Sequence, residues 1–344
     1  MVQPPAPQHR DRQRLDWVRA ALSEPGTGLE RASFDADFRS YWRTTGRTPS
    51  LILMDAPPEL MDVRPWLEIR ELLERGGLRV PAVIAQDPAQ GFLLLEDLGL
   101  QTYLHAIDPA NADALFETAM RRLVALQSIA PPPQLPVYDE ALLLRELRLF
   151  DEWFLGVHLG IELDDGERAQ LQQVYRALVD SALAQPQVLV HRDYMPRNLM
   201  PCDDDVAILD FQDAVRGPIA YDPACLFKDA FLSWPEERVA CWHARYHALA
   251  TQAGLPVPPL ARWRSDLDLI GVHRHLKVLG IFARLKHRDA KPKYVADAPR
   301  FIAYLEAVVP RHPQLAPLAA LLDARVRPAM AGAVAATARI AGRP

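Results

Sequence analysis

The chain has 344 residues, 49% hydrophobic and 24% charged, which is enough for two domains or for one enzyme with two lobes. Its formal net charge of −5 gives no reason to expect nucleic acid or an anionic membrane as a partner. Three widely spaced cysteines, no apolar run near the roughly 18 residues of a membrane helix, and no signal-peptide pattern in residues 1–14 lead us to expect a cytoplasmic enzyme.

The first part of the chain is predicted to form a small β-rich lobe over residues 13–97. The elements predicted up to that point are, in chain order, a disordered leader over 1–12, a short helix over 14–22, a hairpin of strands 38–43 and 50–54, a helix over 65–75, and strands over 80–85 and 91–95. The hairpin prediction depends on two β-rich runs around a turn at Gly46. The helix prediction depends on apolar residues at helical spacing that stop before Gly76.

After residue 97 the pattern changes to amphipathic helices, which predict a larger lobe over residues 98–328. The elements predicted there are, in chain order, helices over 112–129, 140–155 and 167–183, strands over 188–190 and 206–209, further helices between 223 and 326, and a frayed end over 329–344. A β-rich N-lobe followed by a mainly helical C-lobe is an α+β fold.

The most informative pattern is the loop after the first strand of the C-lobe. It reads His191-Arg192-Asp193 with Asn198 five residues after Asp193, and a second acid, Asp210, follows the next strand. These are the H-R-D-x-x-x-x-N loop and the metal-binding Asp of the protein-kinase fold. Asp and Asn are common in turns, but this spacing on two strand ends is hard to reach by chance. The sequence therefore predicts a phosphotransferase with a protein-kinase-like, two-lobed fold.

Each of these side chains has chemistry that phosphoryl transfer requires. Asp193 can accept the proton of an attacking hydroxyl group. Asn198 and Asp210 offer the oxygen ligands that Mg²⁺ prefers beside nucleotide phosphates. We expect His191 to brace the loop through hydrogen bonds rather than to act as a base.

The segment after Asp210 narrows the class of substrate. Only residues 211–220 separate it from Tyr221, which is too short for the activation loop of a regulated protein kinase and favours a small-molecule substrate. Asp222 is predicted to cap the helix that begins with Pro223, with a catalytic role as the alternative. Asp213 is a candidate for holding the loop or for contacting the substrate.

Several stretches around these residues resemble a known family. The loop at Asp193 is similar to that of the aminoglycoside phosphotransferase superfamily, which also includes choline and homoserine kinases. A closer resemblance, over residues 13–328, is to the N-acetylmuramate/N-acetylglucosamine anomeric kinases of bacterial cell-wall recycling. The stretches that carry it are 50–59 (SLILMDAPPE), 93–99 (LLLEDLG), 209–214 (LDFQDA), 217–222 (GPIAYD) and 279–285 (LGIFARL).

The resemblance implies roles for the matching residues. It assigns Asp193 as the base and Asn198 and Asp210 as Mg²⁺ ligands. It implies ATP as the phosphate donor, with adenine against the backbone from Glu96 to Leu98. The partner it implies is a small amino sugar. From the charge and the lack of a long apolar run we expect neither nucleic acid nor a membrane as a partner, and we expect a monomer.

Two features depart from the kinase template. No lysine ends the strand that matches V-A-I-K, so Glu68 on the next helix has no evident partner. The phosphate-covering loop, which matches residues 33–39, also lacks glycines, which leaves Ser33 and Arg39, or Arg43, as candidates for the phosphate contacts. For the two arginines, a role as exposed strand residues is an equal alternative. A protein that binds nucleotide without turnover also stays open.

A basic segment over residues 274–293 gives a clue to the substrate. It carries seven Lys or Arg residues against one acid, Asp289, a charge that would repel a polycationic aminoglycoside and attract an anion. N-acetylmuramate carries a carboxylate, which an Arg side chain can bind with two hydrogen bonds. Arg284 and Arg288, one helical turn apart, are the candidates. The alternative is a solvated basic helix end.

The predicted function is ATP-dependent phosphorylation of the anomeric (C1) hydroxyl of N-acetylmuramate and N-acetylglucosamine. The alternatives are another small-molecule kinase of the same superfamily and a nucleotide-binding protein without catalytic activity.

Overall fold

The computed structural model describes residues 7–33, 39–203 and 205–331. The strands are β1 (Gly28–Ser33), β2 (Ser40–Thr45), β3 (Leu51–Asp55), β4 (Val83–Asp87), β5 (Phe92–Glu96), β6 (Gln187–Val190), β7 (Leu199–Cys202), β8 (Asp205–Ile208) and β9 (Val215–Pro218). The helices are α1 (Pro7–Leu22), α2 (Arg64–Arg75), α3 (Tyr103–Ala106), α4 (Ala112–Gln127), α5 (Glu140–Leu149), α6 (Asp165–Leu183), α7 (Tyr221–Phe227), α8 (Glu236–Gln252), α9 (Leu260–His287), α10 (Ala298–Val308) and α11 (Ala316–Leu321). π-Helical segments follow α5 (Phe150–His158) and α11 (Leu322–Val326), and short 3-10 turns occur at Pro196–Asn198, Pro292–Asp297, Val309–Arg311 and Pro313–Leu315.

The chain divides into two compact units, and their boundary differs from the predicted one after residue 97. The first unit is Met1–Ala125 with Pro196–Asp213, and the second is Leu126–Met195 with Ala214–Pro344. The hairpin of β7 and β8 joins the first unit because the amide of Ile208 donates to the carbonyl of Arg79 at 2.9 Å. Contacts of this kind link segments far apart in sequence, so periodicity cannot reveal them.

The first unit is built on an antiparallel sheet with the strand order β1-β2-β3-β5-β4. The predicted hairpin is confirmed, since β2 pairs with β3, whereas β1 was not predicted. Residues of β3 alternate between the two faces of the sheet. Leu51 and Leu53 pack with Phe92 and Leu94 of β5 and with Val18 of α1, so α1 covers one face.

The predicted disordered leader is wrong for residues 7–12, because α1 begins at Pro7. Two arginines of this helix bind the buried carboxylate of Asp55 at the end of β3. The distances are 2.6 Å from Arg10 Nη2 to Oδ1 and 2.7 Å from Arg14 Nη1 to Oδ2. The helix is therefore held by a residue 41 positions or more away. Residues 1–6 of the predicted leader lie outside the described part of the chain.

The second unit is organised around α9, a helix of 28 residues. This helix packs against α5, the π-helical segment after it, α6, α7 and α10. Because neighbours surround it, α9 buries side chains on most of its circumference, including cations such as Arg274 and Lys277. The predicted helix at 167–183 is confirmed as α6, which begins with a capping box between Asp164 and Glu167.

Two strands in the C-terminal half, β7 and β9, were not predicted, and each of them pairs with one of the predicted strands. Strand β6 pairs with β9 and β7 pairs with β8, so the two predicted strands, β6 and β8, lie in different two-stranded sheets. Helical backbone continues to residue 331, so residues 329–331 of the predicted frayed end are helical, and 332–344 lie outside the described part. None of the described helices is long and apolar enough to cross a lipid bilayer.

Candidate active site

The hairpin of β7 and β8 brings together the two predicted metal ligands in the first unit. Asn198 directly precedes β7 and Asp210 follows β8, so both lie at the open end of the hairpin. The amide of Leu209 donates to the carbonyl of Asn198 at 2.9 Å and closes this end. One carboxylate and one amide oxygen form a donor set that fits Mg²⁺, which usually keeps few protein ligands beside phosphates and water.

Asp210 is held in a left-handed backbone conformation, with φ of 60°. Such a conformation costs a non-glycine residue on the order of 1 kcal/mol or more, and it persists only when the surroundings impose it. The next residue, Phe211, is fully buried and packs its ring against Trp66 of α2, with 5.0 Å between centroids. The packing of Phe211 therefore holds the strained backbone of Asp210 in place, and this backbone sets the direction of the Asp210 carboxylate.

Arg39 lies beside this carboxylate. It precedes β2 and is 6% exposed, and its Nη2 is 3.6 Å from Asp210 Oδ1. The alternative that Arg39 is an exposed strand residue is therefore wrong. The side chain of Ser33, the other candidate for phosphate contacts, is outside the described part of the structure. Glu68 is exposed on α2, as expected for a residue without a lysine partner.

The segment from Glu96 to Gly99 is braced by Arg43, the third candidate for the phosphate contacts. Arg43 donates to Asp97 at 2.6 and 3.0 Å and to the carbonyl of Gly99 at 3.0 Å. Burial would raise the pKa of Asp97, but hydrogen bonds from Arg43, Ser50 and the Gly99 amide lower it to about 2. The Arg43 side chain is thus occupied by structural contacts.

Glu96 is also engaged by its neighbours. Its side chain binds Arg79, and its amide donates to the carbonyl of Ala82 at 2.9 Å. That amide is therefore used inside the sheet. Leu98 follows two residues later and is half-buried.

In the second unit, the loop that carries Asp193 is tied to α7. The carboxylate of Asp222 accepts hydrogen bonds from the amides of His191 and Arg192 at 2.8 and 2.9 Å. The prediction that Asp222 caps α7 is wrong, because this side chain is fully buried and turned to the loop, and Ala220 stands at the cap position. Complete burial raises the pKa of Asp222 to about 7, against the opposing effect of the two amides.

His191 braces the same loop, as predicted. Its Nδ1 accepts the amide hydrogen of Asp193 at 3.2 Å, and its ring meets that of Tyr194 edge-on at 5.8 Å. An accepting Nδ1 requires the neutral tautomer with its proton on Nε2. Asp193 is half-buried at the end of this turn, three residues before the first unit resumes at Pro196.

Sequence reasoning missed Glu146 of α5, which binds the Arg192 side chain. Glu146 is buried within the apolar stripe of that helix, between Leu143 and Leu147. A charged residue at a position predicted to face the core was the available signal, since an isolated buried charge is costly and demands a partner.

The predicted basic surface at residues 274–293 is not continuous. Arg274 is fully buried and donates to the carbonyl of Lys228 at 2.9 Å, and Lys277 is buried against Glu146 at 3.0 Å. Both cations bind polar groups inside the protein. The expectation that they contribute to a basic surface is therefore wrong.

Arg284 and Arg288 occupy the far end of α9. The amide of Arg288 donates to the carbonyl of Arg284 at 2.8 Å, so helical backbone persists to Arg288 and the two residues lie one turn apart, as predicted. Burial and the charge of Arg288 both lower the pKa of Arg284. Arg288 is exposed and donates to Asp289 at 2.7 and 2.9 Å.

Asp213, on the other unit, accepts a hydrogen bond from the Gln212 side chain at 3.2 Å. Within the described residues, no three His, Cys, Asp or Glu side chains gather as a metal cluster.

Comparison with known proteins gives concordant results. Residues 28–240 match the phosphotransferase enzyme family. The chain is 52% identical over 317 residues to the N-acetylmuramate/N-acetylglucosamine kinase of Pseudomonas aeruginosa, covering 89% of this chain and 94% of that protein. Among solved structures, choline kinase LicA from Streptococcus pneumoniae is similar in fold, with a TM-score of 0.63, 13% identity, and coverage of 87% of this chain and 99% of the other. An ADP-bound aminoglycoside phosphotransferase gives a TM-score of 0.57 at 14% identity, covering 85% of this chain and 97% of the other.

Proposed function

The chain belongs to the phosphotransferase enzyme family, and from that premise we propose that it is an ATP-dependent sugar kinase. Its acceptor is the anomeric hydroxyl of N-acetylmuramate and N-acetylglucosamine, and the product is the sugar 1-phosphate. The observation that carries this choice of sugar is the similarity to the Pseudomonas aeruginosa kinase, at 52% identity over 89% of this chain.

The proposed chemistry uses the residues that the sequence singled out. Asp193 accepts the proton of the C1 hydroxyl as that oxygen attacks the γ-phosphorus. Asn198 and Asp210 hold Mg²⁺, which neutralises charge on the phosphates. The backbone from Glu96 to Leu98 takes adenine, and the amide that donates to it follows Glu96, because the Glu96 amide is used in the sheet.

Arg39 takes the place of the missing strand lysine in this proposal. It is a buried cation at the end of the phosphate-covering loop, and it already faces the Asp210 carboxylate. A guanidinium group there would bind a phosphate oxygen through a charge-assisted hydrogen bond. Arg43 is not proposed for this role, because Asp97 and the Gly99 carbonyl occupy it.

For the sugar, we propose Arg284 as the residue that recognises the carboxylate of N-acetylmuramate. Arg284 is half-buried, whereas the guanidinium of Arg288 is already paired with Asp289. Asp213 contacts the sugar hydroxyls. The enzyme is a cytoplasmic monomer that serves peptidoglycan recycling.

The test is a substrate panel of both amino sugars, an aminoglycoside and choline, each with Mg-ATP. ADP release and the ³¹P spectrum of the product identify the acceptor and the phosphorylated position. We expect a sugar 1-phosphate from both sugars and none from the Asp193→Asn variant. Turnover of choline or the aminoglycoside alone would indicate another small-molecule kinase, and nucleotide binding without product would indicate a non-catalytic protein.

The carboxylate proposal needs its own comparison. Arg284→Ala is expected to raise KM for N-acetylmuramate at least tenfold and to leave KM for N-acetylglucosamine nearly unchanged, because only the first sugar carries the carboxylate. Arg288→Ala is the matched control and should leave both constants nearly unchanged. Equal losses on both sugars for Arg284→Ala would contradict a carboxylate-specific role.

A further inference from the structure

A buried ionic cluster surrounds the arginine that precedes Asp193. Glu146, which is 5% exposed, accepts hydrogen bonds from Tyr138 Oη and Arg192 Nη2, and Lys277 Nζ lies 3.0 Å from its Oε1. Lys277 also donates to Tyr221 Oη at 3.1 Å. We name these residues the Glu146 cluster: Tyr138, Glu146, Arg192, Tyr221 and Lys277. All of them belong to the second unit.

The cluster keeps its charges ionised despite burial. Burial opposes ionisation of Glu146, but Lys277 and Arg192 outweigh it and lower the pKa of this carboxyl to about 2. Burial likewise opposes the charge on Lys277 and Arg192, and Glu146 keeps the pKa of both above their ordinary values. Removing Glu146 would leave two buried cations without their carboxylate partner, which is strongly destabilising.

Aromatic rings fix the geometry of the two cations. The Arg192 guanidinium lies over the Tyr138 ring at 5.3 Å, and the Lys277 ammonium lies 5.6 Å from the Tyr221 ring. The two rings meet edge-on at 5.2 Å. Tyr138 can pack there because position 217 is glycine, where a Cβ would come within 3.1 Å of the tyrosine Cβ.

The backbone of Arg192 needs this support because it is left-handed, with φ of 74°. Its amide donates to Asp222, its carbonyl accepts from Cys225 Sγ at 3.3 Å, and its side chain binds Glu146. The two backbone contacts come from α7, and the side-chain contact comes from α5. Asp193 is the next residue, so the rotation of Arg192 sets the direction of the catalytic carboxylate.

We propose that Glu146, oriented by Lys277 and Tyr138, is a positioning residue that holds Arg192 and thereby aims Asp193. In regulated protein kinases a phosphorylated loop supplies such an anion to arginine. Here the anion is built into α5, so the catalytic loop is held without any modification of the chain. This inference rests on the proposed kinase function.

The test is a double-mutant cycle on Glu146→Gln and Arg192→Met. Glu146→Gln keeps the shape and an acceptor for Tyr138 but removes the charge. We expect kcat to fall about 10- to 100-fold, the scale of a misplacement near 1 Å, while KM for ATP changes less than about twofold. If Glu146 acts through Arg192, the double variant is no slower than Arg192→Met alone.

Asp266→Asn is the matched control. Asp266 is a buried carboxylate of α9 that pairs with Arg262 at 2.7 Å. Among the described residues, no hydrogen bond or ion pair joins its side chain to the catalytic loop. It should lower stability without changing kcat. Tyr138→Phe is a milder second variant, expected to lower kcat about threefold to tenfold, should Glu146→Gln fold poorly.

Hydrogen exchange of the amides from His191 to Tyr194 gives a readout independent of sugar turnover. We expect faster exchange there in Glu146→Gln and no change in Asp266→Asn. Unchanged kcat and exchange in a folded Glu146→Gln variant, or additive effects in the double variant, would overturn the inference. If the wild-type chain phosphorylates no sugar, the proposed function fails, whereas the exchange comparison still decides whether Glu146 holds the loop.

Discussion

Asp222 is the clearest case of a residue whose role depends on its partners rather than on its sequence context. The Asp-Pro pair predicted a helix cap, since Asp is favoured at that position. The carboxylate instead accepts two amides of the loop before Asp193, one at each oxygen. The two amides favour the charged form of Asp222, but complete burial disfavours that form and outweighs them.

The raised pKa of Asp222 gives a pH dependence of stability with a definite sign. An unfolded aspartate releases its proton near 3.8, whereas the folded chain retains it up to about pH 7. The folded state thus binds more protons between these values, and stability from this group, present in full below about pH 4, is lost as the pH rises to 7. The loss is up to about 4 kcal/mol.

Asp222→Asn tests this assignment. The amide cannot ionise, so unfolding free energies by denaturant titration at pH 5, 6.5 and 8 should fall less steeply in the variant than in the wild type. Its NH₂ group would face one backbone N–H, so we also expect kcat to fall at least tenfold at pH 8. Parallel stability curves in the two proteins would show that Asp222 does not carry the dependence.

Arg39 supports a second prediction at the residue scale. Arg39→Met should raise KM for ATP and lower kcat, by about 10- to 100-fold in kcat/KM, because a charge-assisted contact worth roughly 1.5–3 kcal/mol is removed. Steady-state kinetics with varied Mg-ATP measures it. Arg70→Met, which removes a cation paired with Glu74 on α2, is the control and should change little. Wild-type constants for Arg39→Met would exclude the phosphate role.

At the scale of elements, α9 depends on close contact with the chain around it. A Cβ at Gly280 would lie 2.3 Å from the carbonyl carbon and oxygen of Leu149, at the end of α5. Such a distance forces backbone to move, so this position must be glycine for α9 to approach. Gly271, two and a half turns earlier on the same helix, has no atom nearer than His275 Nε2 at 3.8 Å.

These two glycines form a matched pair for thermal unfolding. Gly280→Ala should lower stability by roughly 1–3 kcal/mol or more through overpacking. Gly271→Ala should raise stability by about 0.5–1 kcal/mol, because alanine loses less backbone entropy in a helix. Circular dichroism melts measure both, and similar melting temperatures for the two variants would contradict the packing at Gly280.

For the whole molecule, nucleotide binding should be linked to stability. A ligand that binds only the folded state stabilises it by about 2.7 kcal/mol at one hundred times its Kd. Mg-ADP should therefore raise the melting temperature, and EDTA should remove most of the gain because the phosphates lose their metal. Asp210→Asn should show little difference between ADP with Mg²⁺ and ADP with EDTA. A metal-independent gain in the wild type would contradict the ligand roles of Asn198 and Asp210.

The sequence by itself determined the elements with strong local patterns and the class of enzyme, a phosphotransferase. Helices α2 and α6 follow from apolar spacing and from their terminal signals, and the hairpin of β2 and β3 follows from its turn. The order of Asp193, Asn198 and Asp210 identified phosphoryl transfer, because that reaction depends on the order and type of a few polar side chains.

Only the tertiary structure decided which distant residues hold these loops and helices in place. The tie of α1 to Asp55, the pairing of β6 with β9, the hydrogen bonds of Asp222 to the loop, and the ion pair of Glu146 with Arg192 all join segments at least 25 positions apart. Local propensity extends over a few residues and carries no information on such contacts. A buried charge shows that a partner exists, because burial without one is costly, but folding alone selects that partner.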